Sequence, residues 1–124
     1  MCLIVSLPAG VVLSKKHVED VMLFADDGIG AMWCGPRGLR VERRMIRTPG
    51  RAAQWLAGLP IEFERFIHFR RTTRGDTHRD NLHPFLFGNE RFALMHNGTL
   101  PESLVPYDLP EGMSDTDYFV RRKS

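Results

Sequence analysis

The segment IGAMWCGPRGLRVERRM (residues 29–45) decides the fold class. Its two arms, Ile29 to Trp33 and Leu39 to Met45, flank the turn-forming CGPRG (34–38), which indicates a β-hairpin. Apolar and polar residues alternate in the second arm, as expected for a strand with one buried face. Because strands joined by a hairpin are antiparallel, the segment predicts an antiparallel sheet.

The chain before this hairpin predicts a strand and then a helix. CLIVSL (2–7) is short and apolar, with β-branched residues, which is typical of a buried strand. Ser14 fits the N-cap of a helix whose apolar positions recur at helical spacing. These positions are Val18, Val21, Met22 and Ala25. The Asp-Asp-Gly at 26–28 is expected to end the helix.

The chain after the hairpin continues to interleave helices and strands. Thr48-Pro49 predicts a helix start with proline in the first helical position. The next predicted elements are one apolar helix face (Ala52, Trp55, Leu56, Leu59), a strand (63–70), a polar loop (71–84) and a second hairpin (84–87 and 91–96). Ser114-x-x-Asp117 is a capping box that opens a last helix. We therefore expect an α+β protein, a largely antiparallel sheet covered by helices.

Length and composition limit the class of protein. The 124 residues suit a single domain spanning 1–124, and 43% hydrophobic with 26% charged residues is typical of a globular chain. No apolar run reaches the ~18 residues of a membrane helix, and the apolar start lacks the basic flank of a secretory signal. We therefore expect no membrane partner. Two cysteines form no disulfide framework, so we expect a reducing, cytoplasmic location.

The basic residues are unevenly distributed. The net charge is +2, but residues 37–79 carry eleven arginines against four acidic residues. Arginine suits bidentate recognition of a carboxylate or phosphate. No aromatic-interleaved stretch or recognition helix accompanies this arginine-rich segment, so the sequence does not favour nucleic acid as a partner.

Cys2 is the first residue that can carry chemistry. A small side chain directly after the initiator methionine permits removal of Met1, which would make Cys2 the N-terminal residue. Its free α-amine would titrate near pH ~8 and could act as a general base beside the thiol nucleophile. The alternative is that Cys2 is an ordinary core residue of a buried strand.

HFRRTTRG (68–75) places polar groups at the end of a predicted strand, where a ligand can bind. Arg70 or Arg71 could hold a carboxylate between two guanidinium N–H groups. The alternative is a basic strand end that is simply solvated.

Two shorter motifs can likewise be interpreted either as local structure or as part of a binding site. In HNG (96–98), Asn97 and Gly98 could form a hairpin turn, or could offer a side-chain amide and a backbone N–H to an oxyanion. In SDTDYF (114–119), Asp115 could belong only to a helix cap, or could direct its carboxylate at a substrate ammonium. Four of the five histidines lie between 68 and 96, but they lack the spacing and partner ligands of a zinc site, so we expect no metal.

Taken in order, these motifs resemble the class II glutamine amidotransferases, which belong to the N-terminal nucleophile hydrolase superfamily. The segment DDGIGAMW (26–33) also resembles a strand entry of the short bacterial and phage members. The resemblance covers nearly all of the chain. The matching stretches are the Met-Cys start, HFRRTTRG (68–75), NLHPF (81–85), HNGTL (96–100) and SDTD (114–117).

The resemblance implies a four-layer α/β/β/α sandwich of antiparallel sheets, and release of ammonia from glutamine without a cofactor. Cys2 would be the nucleophile, forming a γ-glutamyl thioester, and its freed amine would be the base. Asn97 and Gly98 would form the oxyanion hole. The ammonia would pass to an acceptor enzyme on another chain.

The resemblance also implies how glutamine would be bound. Arg70, with Thr73 beside it, would hold the α-carboxylate, and Asp115 would bind the substrate amine. His83 would support the pocket. Arg71 departs from the family, because many members have an aromatic residue there, so the pocket wall is expected to differ.

The family's domain continues well past the length of this chain. We therefore expect missing strands, and a protein partner or self-association that covers the exposed sheet. One alternative is a non-catalytic phage or mobile-element protein that keeps the fold and binds a host protein or nucleic acid through its arginine-rich face. Another is an N-terminal nucleophile hydrolase that acts on an amide other than glutamine.

Overall fold

The predicted hairpin at 29–45 lies within the larger of two antiparallel sheets. The structure, a computed structural model, describes residues 2–72, 75, 77, 81–97, 100, 103–105 and 108–123. That part of the chain contains six strands and three helices, so the predicted α+β class with antiparallel pairing is confirmed. They are β1 (Leu3–Leu7), α1 (Lys15–Met22), β2 (Ile29–Gly35), β3 (Gly38–Arg44), α2 (Pro49–Ala57), β4 (Arg65–Phe69), β5 (Phe85–Phe87), β6 (Phe92–Leu94) and α3 (Asp115–Lys123).

The larger sheet has the strand order β1-β4-β2-β3, and β5 pairs with β6 in a separate two-stranded sheet. In the central pairs, Phe69 of β4 lies opposite Leu3 of β1 on one side and Ile29 of β2 on the other. The end of β4 is therefore flanked by the start of β1 and the start of β2. This junction places the HFRR segment next to the beginning of the chain.

The hydrophobic core lies between α1, α2 and one face of the larger sheet. Its buried members are Leu7, Val18, Met22, Ala25, Ile29, Ala31, Trp33, Ile46, Ala52, Leu56, Leu59, Ile67 and Phe69. The strand residues in this set occupy alternate positions, as the two-residue period of a strand requires. The amphipathic helices predicted from spacing thus cover one face of the sheet.

The ends of the helices follow local chemistry. The Ser14 hydroxyl accepts a hydrogen bond from the backbone N–H of His17 at 3.1 Å, which confirms the predicted N-cap of α1. The helix ends at Met22, earlier than the Asp-Asp-Gly at 26–28 had indicated. The backbone N–H of Ala25 still bonds to the carbonyl of Val21 at 3.1 Å, so a helical turn continues the apolar spacing.

The segment 81–87 lies over the part of the opposite face of the larger sheet that surrounds Gly30. A Cβ added to Gly30 of β2 would lie 1.6 Å from the carbonyl oxygen of His83, so only glycine permits this close approach. Helix α3 packs against β5. None of the helices formed by the described residues is long and apolar enough to cross a membrane.

Candidate active site

Cys2 lies beside the end of β4, on the sheet face opposite the core. Ile4 pairs with His68, and side chains alternate along a strand, so Cys2 shares a face with His68 and Arg70. The Cys2 thiol contacts the backbone of Arg71, accepting from its N–H at 3.4 Å and donating to its carbonyl at 3.5 Å. The structure thus brings Cys2 and the HFRR segment together across 69 residues of sequence.

Arg70 is buried, with 4% of its surface exposed. Its backbone extends the β2–β4 pairing, because its N–H bonds to the carbonyl of Gly28 at 2.9 Å and its carbonyl accepts from Asp27 N–H at 2.8 Å. Burial lowers the pKa of the guanidinium, and the nearby groups of Cys2, Asp27 and Asp115 oppose that shift. A buried cation is therefore held beside a thiol and two carboxyl groups.

Asp27 fixes the chain that follows Arg70. One oxygen of its carboxylate accepts from the backbone N–H of Thr72 at 2.7 Å, and the other accepts from the Arg47 guanidinium at 3.1 Å. The sequence predicts only a helix end and a strand entry at the Asp-Asp-Gly segment. In the structure, the Asp27 carboxylate also holds the backbone of Thr72, in the segment that follows Arg70.

Asp115 is the first residue of α3 and is 5% exposed. Its carboxylate accepts from the backbone N–H of Leu100 at 2.6 Å and of Thr116 at 2.7 Å. These bonds fix the carboxylate in one orientation, and its charge raises the pKa of the buried Arg70 guanidinium. Asp115, which the SDTD motif indicated as a ligand for a substrate ammonium, is thus buried, and its carboxylate is held by backbone donors.

The start of α3 is anchored from both sides. The Ser114 hydroxyl accepts from the backbone N–H of Asp117 at 3.1 Å, which confirms the serine half of the predicted capping box. The Asn81 side chain accepts from Ser114 N–H at 2.9 Å and donates to the carbonyl of Gly112 at 2.6 Å. The segment that carries the NLHPF motif is therefore tied to the helix that carries Asp115.

Two buried histidines stack beneath the site. The rings of His68 and His83 have centroids 4.0 Å apart and planes 9° apart. Burial lowers the pKa of His68 to about 4 and that of His83 to about 2, so both rings are neutral near pH 7. His83 Nδ1 accepts from the backbone N–H of His96 at 3.0 Å, and His68 Nε2 donates to the carbonyl of His96 at 3.2 Å.

The side chain of His96 continues this network toward Asp115. Its Nδ1 lies 3.3 Å from the Thr116 hydroxyl, which in turn lies 3.3 Å from a carboxylate oxygen of Asp115. When the hydroxyl donates to the carboxylate, it accepts from Nδ1–H of His96. The sequence motifs indicate no role for Thr116, and His68 and His96 were candidates only as metal ligands.

Four of the predicted site residues, Cys2, Arg70, His83 and Asp115, meet in this region. Asn97 follows His96 directly and is exposed. The predicted Thr73 and Gly98 lie outside the described residues. Among the residues that the structure describes, no group of three or more His, Cys, Asp or Glu is placed to hold a metal ion.

A separate open cleft of about 730 Å³ lies between β3, β5 and α3. Two of its three arginines pair with acidic side chains, Arg44 with Glu42 at 2.7 Å and Arg121 with Asp117 at 2.8 Å, and Arg43 donates to the carbonyl of Leu82 at 3.1 Å. The cleft is not lined by Cys2 or Arg70. The stronger candidate for chemistry is therefore the group around Cys2.

Comparisons with known proteins add no assignment. No protein-family model, curated protein or solved structure matches the chain. A function must therefore be argued from the chemistry of the residues around Cys2.

Proposed function

We propose that the protein is a glutaminase of the class II glutamine amidotransferase type, in which removal of Met1 exposes Cys2 as the nucleophile. The observation that carries the proposal is the convergence of Cys2, Arg70 and Asp115 from three elements far apart in the sequence. Free glutamine offers a side-chain amide, a carboxylate and an ammonium. The thiol, the guanidinium and the carboxylate match these three groups in chemistry and charge.

Arg70 would bind the α-carboxylate of glutamine, with Thr73 beside it. A guanidinium withdrawn from water attracts an anion more strongly than an exposed one, because the local dielectric constant is lower. Asp115 would bind the ammonium. Its carboxylate already accepts two backbone N–H groups and the Thr116 hydroxyl, and two carboxylate oxygens have about four lone-pair sites in total, so one site remains. His83 would support the pocket from below.

The proposed reaction is acyl transfer in two steps. The α-amine of Cys2 takes the thiol proton, and the thiolate attacks the amide carbon while Asn97 and Gly98 donate hydrogen bonds to the oxyanion. The C–N bond breaks as the ammonium of Cys2 returns its proton to the nitrogen, which leaves as ammonia. Water, deprotonated by the same amine, then hydrolyses the γ-glutamyl thioester to glutamate and restores the thiol. An acceptor enzyme on another chain would use the ammonia.

The proposal includes the α/β/β/α sandwich of the family. Its support is the covering of one sheet face by α1 and α2, and the placement of β5 and α3 beyond the other face. In this arrangement the nucleophile lies at the start of the first strand, on the face opposite the hydrophobic core.

The test is an intact-mass measurement before and after exposure to a diazoketone analogue of glutamine. We expect the mature protein to lack the mass of methionine and to gain one adduct. The adduct should be absent from Cys2→Ala and present in Cys34→Ala, since Cys34 is an exposed cysteine near the far end of β2. Excess glutamine should protect the protein from labelling.

Two results would overturn the proposal. One is an adduct that persists in Cys2→Ala, which would place the reactive thiol elsewhere. The other is a protein that retains Met1 and forms no adduct, because the proposed base would then be blocked as a peptide amide. Ammonia release from glutamine by the wild type and Cys34→Ala, but not by Cys2→Ala, completes the test.

A further inference from the structure

The stacked histidines bind both backbone polar groups of His96, one in each of the two peptide units that flank this residue. His83 accepts the His96 N–H at 3.0 Å, and His68 donates to the His96 carbonyl at 3.2 Å. One ring therefore acts as acceptor and the other as donor, which requires a fixed tautomer on each. The His83 bond restrains the Met95–His96 peptide and the His68 bond restrains the His96–Asn97 peptide, so together they fix the backbone on both sides of His96.

The two rings are themselves fixed by the fold. His68 lies in β4, the strand paired with β1 and β2, and is 1% exposed. His83 is held by the contact of its carbonyl with Gly30 and by the stacking of its ring on His68. The backbone of His96 is therefore held in a fixed position relative to the sheet that carries Cys2.

We propose that His68 and His83 are positioning residues, which hold the backbone of His96 so that the side-chain amide of Asn97 faces the carbonyl attacked by Cys2. This inference rests on the proposed glutaminase function. The His96 side chain extends the same restraint through Thr116 to Asp115, so the oxyanion donor and the ammonium ligand are located by one network. Neither histidine exchanges a proton with the substrate.

The test compares variants that keep or remove each hydrogen bond. His83→Asn keeps an acceptor at the Nδ1 position, whereas His83→Leu removes it. His68→Gln keeps a donor at the Nε2 position, whereas His68→Met removes it. Exposed His17 on α1 provides the control variant His17→Asn, which should retain wild-type kinetics.

We expect His83→Leu and His68→Met to lower kcat for glutamine by about 10²-fold, the effect of losing an oxyanion-hole donor. KM should change little, because Arg70 and Asp115 remain. His83→Asn and His68→Gln should recover most of the loss. Because His83 accepts the N–H of His96, amide hydrogen exchange at His96 should be faster by about 10-fold in His83→Leu and near wild type in His83→Asn.

The two readouts separate this inference from the proposed function. If the wild type releases no ammonia from glutamine, the proposed function fails. Faster amide hydrogen exchange at His96 in His83→Leu than in His83→Asn would still show that His83 holds the backbone of His96. If the wild type is active, equal kcat losses in the conservative and disruptive variants overturn the positioning role. A loss confined to KM also overturns it. If His83→Leu does not fold, the His68 pair decides the question.

Discussion

Gly30 is the residue at which the central sheet meets the chain segment that carries His83. The Cβ of an alanine there would lie 1.6 Å from a backbone oxygen, and a backbone atom cannot move aside as a side-chain end can. We expect Gly30→Ala to lower the free energy of unfolding by about 3 kcal/mol or more, as severe overpacking does. Urea denaturation measures this change.

The matched control for Gly30 is Gly50, in the first turn of α2. A Cβ there meets no atom within 4 Å, and alanine favours a helix over glycine by about 1 kcal/mol. Gly50→Ala should therefore leave the urea midpoint unchanged or raise it. Equal destabilisation by the two substitutions would refute the claim that backbone contact with His83 requires Gly30.

Arg70 is the residue on which the proposed substrate recognition depends. Replacing it by glutamine removes the charge-assisted bonds to the α-carboxylate, which are worth about 1.5–3 kcal/mol. We expect Arg70→Gln to raise KM for glutamine by about 10- to 100-fold. Steady-state ammonia release measures this, with unfolding curves to confirm that the variant folds. Arg37→Gln, at the exposed hairpin turn, should behave as wild type, and an unchanged KM in Arg70→Gln would contradict the assignment.

At the scale of elements, the three helices differ in whether the N-cap side chain accepts a backbone hydrogen bond. The hydroxyls of Ser14 and Ser114 each accept a backbone N–H at 3.1 Å, whereas Thr48 makes no such side-chain bond. We expect Ser14→Ala and Ser114→Ala each to cost about 1 kcal/mol of stability, and Thr48→Ala to cost markedly less. Thermal or urea unfolding of the three variants tests the order.

Ser114→Ala should have a second effect that Ser14→Ala does not share. Ser114 begins the helix that presents Asp115, and its N–H is bound by Asn81. Loosening this turn is therefore expected to reduce glutamine turnover, even at temperatures where the variant is fully folded. If both serine variants have wild-type turnover below their unfolding transitions, the α3 cap has no role beyond stability.

The elements could be predicted from the sequence largely because their signals are local. The hairpin at 29–45 follows from alternation around a turn, and the helix starting at Lys15 follows from the spacing after Ser14. The end of α1 was predicted too late, because the apolar spacing continues to Ala25 through a turn that is no longer regular helix. Local patterns determine where an element begins more sharply than where it ends.

The site could be predicted only in part, because its contacts are long-range. The Cys2 thiol contacts the backbone of Arg71, which is 69 residues away in the sequence. The periodicity of a helix or strand does not predict such a contact. The family resemblance indicated Cys2, Arg70, His83 and Asp115, since each lies in a recognisable motif. It did not indicate Asp27 or Thr116, whose roles depend on which backbone or side-chain groups the fold places beside them.

At the scale of the whole molecule, the buried histidine pair links stability to pH. The pKa of His68 is about 4 and that of His83 about 2 in the folded protein, both lowered chiefly by burial, against a usual value of 6.5. Below pH 6.5 the unfolded chain therefore binds protons that the folded protein does not. Stability is complete above that pH and is lost as the pH falls, through about 4 for His68 and about 2 for His83.

The expected size of this effect is about 1.4 kcal/mol per histidine for each pH unit, once the pH is well below 6.5. Urea unfolding from pH 7.5 to 5 should therefore show a steep fall in the free energy of unfolding, with a limiting slope of about 2.7 kcal/mol per pH unit for the pair. His68→Gln cannot titrate at that position, so its slope should be about half as steep. Exposed His17→Gln should keep the full slope. If His68→Gln and His17→Gln have the same slope, the buried pair is not the source of the acid sensitivity, and the fold must accommodate a charged ring at residue 68.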